Sequence, residues 1–222
     1  MASFLVIGMG RFGSSVATEL YNMKHEVLAV DDHEENIAPF MGQVTNAIIG
    51  DTTDESVLRS LGVHNFDGVV VGIGEAIEDS IWTLMILKEL GAKMIVCKAW
   101  DERHAKILVQ LGAEKVIRPE FDMGKRVAHS LSHRNVIDFL DISSDHSVME
   151  IIVPKKWMNK SIAKNNLRRK YGITVISIKS EKSEENSGIG TVNFSPDADT
   201  VLREGDIITV IGKKKNLDSM VL

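Results

Sequence analysis

The chain has 222 residues, with 26 Lys and Arg against 31 Asp and Glu and a net charge of −5. Because 44% of its residues are hydrophobic and 26% are charged, the composition is that of a globular protein and excludes bulk disorder. The single cysteine, Cys97, excludes a disulfide scaffold and a cysteine-based zinc site. No apolar run approaches the ~20 residues of a membrane span, and the first residues lack the basic segment of a signal peptide. We therefore expect a soluble cytoplasmic protein without direct membrane insertion, which would meet a membrane only through a partner.

Short β-branched segments alternate with segments of helical periodicity up to Arg118. Predicted strands are Phe4–Gly8, Glu26–Val30, Ala47–Gly50, Gly68–Gly72, Met94–Lys98 and Lys115–Arg118; predicted helices lie near residues 12–23, 34–41, 54–61, 76–90 and 102–111. Gly62, Gly91 and Gly112 are expected to close helices in the left-handed conformation. Strands with little polar alternation are typical of a parallel sheet covered by helices. The pattern predicts a doubly wound α/β domain.

One of these helical segments, Ser80–Leu90, is apolar nearly all round. A helix that covers one face of a sheet needs only one apolar stripe. The excess indicates either a subunit contact on a second face or a deeply buried core helix.

The regular alternation of predicted strands and helices ends at Pro119, which begins a predicted helix that extends to about Ser132. Further predicted strands are Val136–Asp141, Ser147–Val153, Ile173–Lys179 and Ile207–Gly212, with a helix at Ser161–Tyr171 and an exposed polar turn at Glu181–Gly188. The sequence thus predicts one domain over residues 1–134 and a small α+β C-terminal module over residues 135–222.

The charge follows this division. Residues 1–134 carry 13 basic and 19 acidic residues, a net of −6, whereas residues 135–222 carry 13 basic and 12 acidic residues, a net of +1. Seven of the latter basic residues fall between Lys155 and Lys170, and no acidic residue lies between Glu150 and Glu181. This cluster indicates either a solvated helix face or an anion site. Since the whole chain is acidic, nucleic-acid binding is not expected.

A glycine motif of the form G-x-G-x-x-G follows the first predicted strand and opens a helix: Gly8-Met9-Gly10-Arg11-Phe12-Gly13. This context is the one in which the motif predicts dinucleotide or nucleotide binding in a Rossmann-like domain. Its first glycine permits a tight turn, the second lets the backbone approach a pyrophosphate, and the third lets the helix pack on the strand. The second strand ends at Asp31-Asp32, and either carboxylate is a candidate acceptor for ribose hydroxyls.

Other candidate residues follow the remaining strands, because ligands of open α/β sheets bind outside the carboxyl ends of the strands. Asp51 and Thr52 are candidates for the base and ribose, although Asp51 could instead cap a helix. Arg11 is interpreted either as a phosphate ligand or as a surface residue. Glu120 is a candidate cation ligand or a residue that compensates a helix dipole. The remaining candidates of this set are Ile73, Gly74, Glu75 and Lys98.

The ordered set of motifs resembles a known family. The glycine motif, Asp31, Gly50-Asp51-Thr52, Gly74-Glu75 and Arg118–Gly124 resemble the RCK domain, also called KTN; Asn166–Val175 with Phe194-Ser195-Pro196 resemble the TrkA C-terminal domain. Together they cover almost the whole chain, which is similar to the Ktr-type cytosolic gating subunits of bacterial potassium uptake systems.

The resemblance implies a homo-octameric ring, built from dimers, on a membrane-embedded potassium-translocating subunit. It implies that ATP and ADP bind in the Rossmann crevice, where NAD or NADH are further candidate ligands. In this crevice Arg11 would face the terminal phosphates, and Glu120 would bind a divalent or monovalent cation. It also implies cyclic di-AMP in the C-terminal module, where either Arg168 or Arg169 would meet phosphate. The residues carried over for that ligand are Ile162, Asn166, Arg168, Arg169, Ile173, Thr174, Val175 and Pro196.

Two rival functions use features of the same sequence. A nicotinamide-dependent oxidoreductase has a similar N-terminal fold but needs an acid or base beside the nicotinamide, and none of the seven histidines lies in a recognisable catalytic string. His129 and His133 are four residues apart, a spacing that suits a metal pair, but a third ligand is not evident. A transcription regulator would need a helix-turn-helix segment, which the sequence lacks.

Overall fold

A computed structural model describes residues 1–133, 135–180 and 191–221. The chain divides into two compact units, Met1–Glu120 and Phe121–Leu222. The predicted turn Glu181–Gly188 lies outside the described residues.

The N-terminal unit contains a six-stranded parallel sheet. Its strands are β1 (Ser3–Ile7), β2 (Glu26–Asp31), β3 (Asn46–Ile49), β4 (Gly68–Val71), β5 (Ile95–Lys98) and β6 (Lys115–Ile117), in the order β3-β2-β1-β4-β5-β6. Ile7 pairs with Val30 on one side and with Val71 on the other. Because all strands are parallel, Gly8, Asp31 and Gly72 emerge side by side at one edge of the sheet, at the point where the strand order reverses. The predicted doubly wound fold is therefore confirmed.

Helices cover both faces of this sheet. They are α1 (Arg11–Asn22), α2 (Glu34–Ile37), α3 (Glu55–Leu61), α4 (Ile77–Glu89) and α5 (Glu102–Gln110). The predicted helix at 34–41 is shorter, because α2 ends at Ile37. The next residues, Ala38–Phe40, include Pro39 and form a 3₁₀ turn. Gly62, Gly91 and Gly112 all have positive φ angles, as predicted for residues that close helices.

Helix α4 is buried over most of its circumference. Ser80, Thr83, Leu84, Ile86 and Leu87 are inside the unit, which explains most of the apolar excess, while Trp82 is 57% exposed. The predicted subunit contact on this helix stays a prediction.

Helix α6 (Pro119–Ser132) spans the division between the units. Its later residues pack within the C-terminal unit, since Arg126 forms a two-bond ion pair with Asp138, and Lys125 pairs with Asp141. These two carboxylates lie on strand β7 (Val136–Asp141). The structural division therefore falls near the start of the helix, whereas the boundary predicted from the sequence lies at its end, after residue 134.

The C-terminal unit contains a five-stranded antiparallel sheet. Its further strands are β8 (His146–Ile152), β10 (Ile173–Ser180), β11 (Thr191–Asn193) and β13 (Ile207–Lys213), in the order β11-β10-β13-β8-β7. A separate two-stranded ladder joins β9 (Lys160–Ser161) to β12 (Val201–Leu202), and α9 (Lys214–Val221) follows the last strand. The predicted α+β module is confirmed.

The predicted helix Ser161–Tyr171 is wrong as a single element. It is two short helices, α7 (Ile162–Asn165) and α8 (Leu167–Tyr171), separated by Asn166 at φ +50°. Asparagine tolerates this left-handed conformation better than most residues. The buried Asn165 amide donates to the carbonyl oxygens of Trp157 and Ser161 and so holds the first short helix in place.

Candidate functional site

A cavity of about 380 Å³ lies at the carboxyl ends of β1 to β4. We call it the glycine-loop cavity. Nine of the predicted residues line it: Gly8, Gly10, Asp31, Asp32, Asp51, Thr52, Ile73, Gly74 and Glu75. Other lining residues were not predicted from the sequence, among them His33, Asn36 and Asp79. His33 and Asn36 lie just beyond the end of β2, where their position next to Asp31-Asp32 is the signal that could have found them.

The three motif glycines have different physical roles. Gly8 has a φ of +83°, and a Cβ atom on Gly13 would stand 1.9 Å from the carbonyl oxygen of Gly8. The strand and helix therefore touch backbone to backbone, as the motif predicts. Gly10, by contrast, has an extended conformation with φ −62° and ψ −173°, and a Cβ there would meet nothing within 4 Å. Protein packing does not explain this glycine, whereas a ligand that approaches the start of α1 would.

The two acidic residues at the end of β2 are not equivalent. Asp31 is buried and accepts hydrogen bonds from the Met9 amide at 2.6 Å, the His33 amide at 3.0 Å and the Asn36 side chain at 2.9 Å. A carboxylate has about four acceptor sites, so at least one remains for a ribose hydroxyl. Asp32 is exposed and bonds to the ring of His33 at 2.6 Å, and this hydrogen bond raises the pKa of His33.

Asp51 and Thr52 lie beyond β3. Asp51 accepts from the backbone amide and the hydroxyl of Thr53, at 2.9 and 2.6 Å. Helix α3 is capped instead by Asp54, whose carboxylate accepts from the Ser56 amide at 2.8 Å. The alternative reading of Asp51 as the helix cap is therefore wrong.

The Thr52 hydroxyl is buried and lies 3.0 Å from the hydroxyl of Thr83 on α4. One of its hydrogen-bonding positions is therefore occupied within the protein. Since a hydroxyl can donate one bond and accept two, it retains capacity for a ligand.

The other predicted residues of this unit lie outside the cavity lining. Met9 is buried, and Phe12 packs against the same core cluster. Lys98 on β5 is 14% exposed at its side chain, and its Nζ donates to Glu120 Oε1 at 2.7 Å, although the Glu120 side chain is 72% exposed. The end of the Lys98 side chain lies beside Gly74, 3.2 Å from where a Cβ atom would stand.

The pKa of Glu120 is lowered by the hydrogen bond from Lys98 and by the nearby charges of Lys98 and Arg11. The Lys98–Glu120 ion pair thus lies beside Gly74, which lines the glycine-loop cavity. Within the described part of the chain, the one group of three potential metal ligands is Asp31, Asp32 and His33. Glu120 supplies a single carboxylate, so a cation there would need ligands from a nucleotide or a second subunit.

A second cavity, of about 340 Å³, lies in the C-terminal unit where α7, α8 and β10 meet. We call it the α7–α8 cavity. Seven of the eight residues predicted for cyclic di-AMP line it: Ile162, Asn166, Arg168, Ile173, Thr174, Val175 and Pro196. Arg169 does not, and Ala163, Leu167 and Ala198 complete the lining. An apolar wall with one guanidinium and one amide suits a ligand that combines a planar base with a phosphate.

Part of the basic cluster has a role in packing. The Lys156 ammonium lies 5.6 Å from the ring centre of Trp157 and 5.3 Å from that of Tyr171. These cation–π contacts hold the lysine against the core of the unit. Its charge is therefore not simply part of a solvated helix face.

The other potentially reactive side chains are one cysteine and several histidines. Cys97 is buried, and burial raises the pKa of its thiol to about 12, which disfavours the thiolate. His33 is the only histidine among the described residues that line the glycine-loop cavity. The ring of His129 stacks on Phe139 at 4.3 Å, and no group of three potential metal ligands in the described chain includes His129 or His133.

None of the helices in the described chain combines the length and the apolar character that a bilayer span requires.

Comparisons with known proteins agree with this architecture. Residues 4–119 match the TrkA-N domain and residues 148–221 match the TrkA-C domain. The chain is 41% identical to Ktr system potassium uptake protein A of Bacillus subtilis (strain 168) over 214 residues, which cover 96% of this chain and 93% of that protein. It is 42% identical to Ktr system potassium uptake protein C of the same organism over 209 residues, 94% of this chain and 91% of that protein.

Solved structures share the fold. The GsuK RCK domain superposes with a TM-score of 0.67 at 19% identity, and the GsuK channel bound to NAD with a TM-score of 0.66 at 20% identity. These alignments cover 99% and 97% of this chain but 47% and 38% of the GsuK chains. With both domain matches and two relatives above 40% identity, the chain belongs to the family of Ktr-type potassium uptake proteins built from a TrkA-N and a TrkA-C domain.

Proposed function

We propose that this chain is the cytosolic gating subunit of a Ktr-type potassium uptake system, and that it is not an enzyme. The observation that carries the proposal is the identity of 41% and 42% with two Ktr system proteins over almost the whole chain. In this proposal the translocation path belongs to a membrane-embedded potassium-translocating subunit. Copies of the chain form a homo-octameric ring of dimers, peripheral at the inner face of the membrane.

The glycine-loop cavity is the proposed site for ATP and ADP. The open position at Gly10 and the start of α1 suit a phosphate group, because free amides and the helix dipole favour an anion there. The remaining acceptor capacity of Asp31 suits a ribose hydroxyl. NAD or NADH are further candidates, supported by the GsuK channel, whose structure is described as bound to NAD.

Nucleotide exchange can control a gate only if ATP and ADP favour different ring conformations, since equal affinity for both conformations shifts nothing. The additional phosphate of ATP supplies such a difference. Arg11 and Lys98 would meet its charge, and a divalent or monovalent cation would bind it together with Glu120 and, at a dimer interface, the Glu120 of a second copy. The Lys98–Glu120 ion pair, together with the effect of the Arg11 charge on the pKa of Glu120, supports this arrangement.

The α7–α8 cavity is the proposed site for cyclic di-AMP. Ile162, Ile173 and Pro196 offer an apolar surface to the adenine base, and Arg168 and Asn166 offer donors to the phosphate. Ligand binding here would add a second control on the same ring.

Co-purification with a potassium-translocating membrane subunit tests the function. We expect the complex to form, and its stability to differ between ATP, ADP and cyclic di-AMP. An Arg11→Ala variant should still bind the membrane subunit but lose the preference between ATP and ADP, measured by calorimetry. Failure to form a complex under any of these conditions, or NADH consumption with a carbonyl substrate, would contradict the proposal.

A further inference from the structure

Another cavity of the C-terminal unit, of about 630 Å³, is lined by four side chains that can carry positive charge. We call it the basic cavity. The four are His146 at the start of β8, Arg168 on α8, and Lys213 and Lys215 on either side of the junction between β13 and α9. No Asp or Glu is among the described residues that line it. The arrangement concentrates positive charge in a concave surface.

The lysines around this cavity differ in their ion pairs. Lys214 points its ammonium to Asp141, at 3.0 Å, and does not line the cavity. Lys213 and Lys215, on either side of it in sequence, have no carboxylate within 4.0 Å in the part of the chain that the structure describes, and neither has Arg168. The carboxylate of Asp141 is shared, because it also binds Lys125. Among the described residues, the three cations that face the cavity therefore have no carboxylate partner.

The start of α9 adds to this charge. Its first turn contains no acidic residue but two lysines, although the positive end of the helix dipole disfavours cations there. An anion beside Lys213 and Lys215 would relieve both the repulsion between the side chains and their interaction with the dipole. The side-chain amide of Asn216, which lies against Gly172, offers a further donor at the cavity wall.

We propose that the basic cavity binds a phosphate group. Two sources have this chemistry. One is the phosphodiester of a cyclic dinucleotide seated in the α7–α8 cavity, because the two cavities share Arg168 and Thr174. The other is a separate small phosphate such as pyrophosphate. Charge-assisted bonds from Lys213, Lys215 and Arg168 would hold either one. The site rests on the charges of the basic cavity and stands without the potassium function.

The test uses the full-length chain and two probes, pyrophosphate and cyclic di-AMP, each titrated by calorimetry. The test variant is Lys213→Ala with Lys215→Ala. The matched control is Lys214→Ala, which removes the same kind of charge from between them but outside the cavity. Binding of pyrophosphate in the glycine-loop cavity is common to all three proteins and cancels in the comparison. Thermal unfolding verifies that each variant is folded.

We expect the double variant to lose about tenfold or more in affinity for a phosphate probe, while Lys214→Ala changes it less than about twofold. A loss for pyrophosphate alone assigns the cavity to a separate anion, and a loss for cyclic di-AMP assigns it to the phosphodiester. Unchanged affinity for both probes overturns the proposal. An equal loss in Lys214→Ala also overturns it, because general surface charge would then explain the binding.

Discussion

The Met9 amide donates a 2.6 Å hydrogen bond to the buried carboxylate of Asp31. This bond joins the glycine loop after β1 to the end of β2, 22 residues later. The residue proposed to hold the ribose therefore also fixes the loop proposed to hold the phosphates. We therefore expect the stability of the loop and the proposed affinity for nucleotide to be coupled through this one side chain.

Replacing Asp31 by Ala should lower both stability and nucleotide affinity. Three donors, from Met9, His33 and Asn36, lose their acceptor, and a buried donor left unpaired costs about 1–3 kcal/mol. We expect urea unfolding at pH 7 to show a loss in that range and ATP binding to weaken by about tenfold or more. Asp32→Ala is the control, since that carboxylate is exposed and should affect stability little. Equal effects of the two substitutions would show that the Met9 bond is unimportant.

Alanine substitutions at Gly10 and Gly13 should have different effects on nucleotide affinity and on stability. Gly13→Ala places a Cβ atom 1.9 Å from the Gly8 carbonyl oxygen, so α1 must shift away from β1; we expect a loss of several kcal/mol, about 3 or more, in the free energy of unfolding. Gly10→Ala meets no protein atom and adopts an allowed backbone conformation, so its stability should change by less than about 1 kcal/mol.

The affinity of the Gly10→Ala variant for ATP, measured by calorimetry, should nevertheless fall sharply, because the added methyl group stands where the phosphates would approach. An ATP affinity equal to that of the unaltered chain would argue against a nucleotide at the start of α1.

Local patterns predict much of this fold for physical reasons. The ends of three helices could be predicted from a Leu-Gly pair, because glycine adopts a positive φ without strain. Gly62, for example, has a φ of +64°. The residues of the glycine-loop cavity could be found because the carboxyl ends of parallel strands meet at one edge. What a strand end cannot reveal is which of two adjacent acids turns inward. Asp31 does so because it meets the Met9 amide, a contact that depends on the packing of another strand.

Other features depend on pairing across long sequence separations. The two-residue strands β9 and β12 pair Ser161 with Val201, forty positions away, and neither has a periodicity long enough to detect. Helices α7 and α8 were predicted as one segment because Asn166, which marks the break, is a weak helix former that nevertheless occurs inside helices. The rotation of α8 about its own axis in turn determines which of its two arginines, Arg168 or Arg169, lines a cavity.

The orientation of α8 leads to a prediction about Arg168 and Arg169. Arg168 lines the α7–α8 cavity and Arg169 does not. Loss of a charge-assisted bond to phosphate typically costs about 1.5–3 kcal/mol, so Arg168→Ala should weaken cyclic di-AMP binding by about tenfold or more. Arg169→Ala removes the same charge one position further along and should change the affinity less than about twofold. A larger effect of Arg169→Ala in calorimetry would exclude this orientation of the ligand.

Acid should weaken the junction between α6 and the C-terminal sheet. Burial opposes ionisation of Asp141, but hydrogen bonds from Lys125, Ser147 and Lys214 prevail and lower its pKa to about 2. Because its folded pKa lies below the ordinary value of 3.8, the stabilisation is complete above pH 4 or so and is lost as pH falls toward 2. After allowance for solvent screening this amounts to about 1 kcal/mol. Asp141→Asn should therefore lower the urea midpoint at pH 7 but not at pH 2, and a constant difference at both pH values would contradict the assignment.

Glu120 should make ATP binding depend on a cation. A glutamate is ionised at neutral pH, and Lys98 and Arg11 lower the pKa of Glu120 further. In the proposed site this carboxylate would ligate a metal ion beside the terminal phosphate. Glu120→Gln keeps the size of the side chain but removes that charge. Calorimetry with and without Mg²⁺ or Ca²⁺ should then show that ATP affinity no longer rises with the cation, whereas ADP affinity changes less than about threefold. Glu114→Gln is the matched control, since Glu114 pairs with Lys88 at 2.9 Å and does not line the glycine-loop cavity. If the Glu120 variant keeps the cation effect on ATP, the metal ion is bound by the nucleotide alone and the carboxylate serves only as the partner of Lys98.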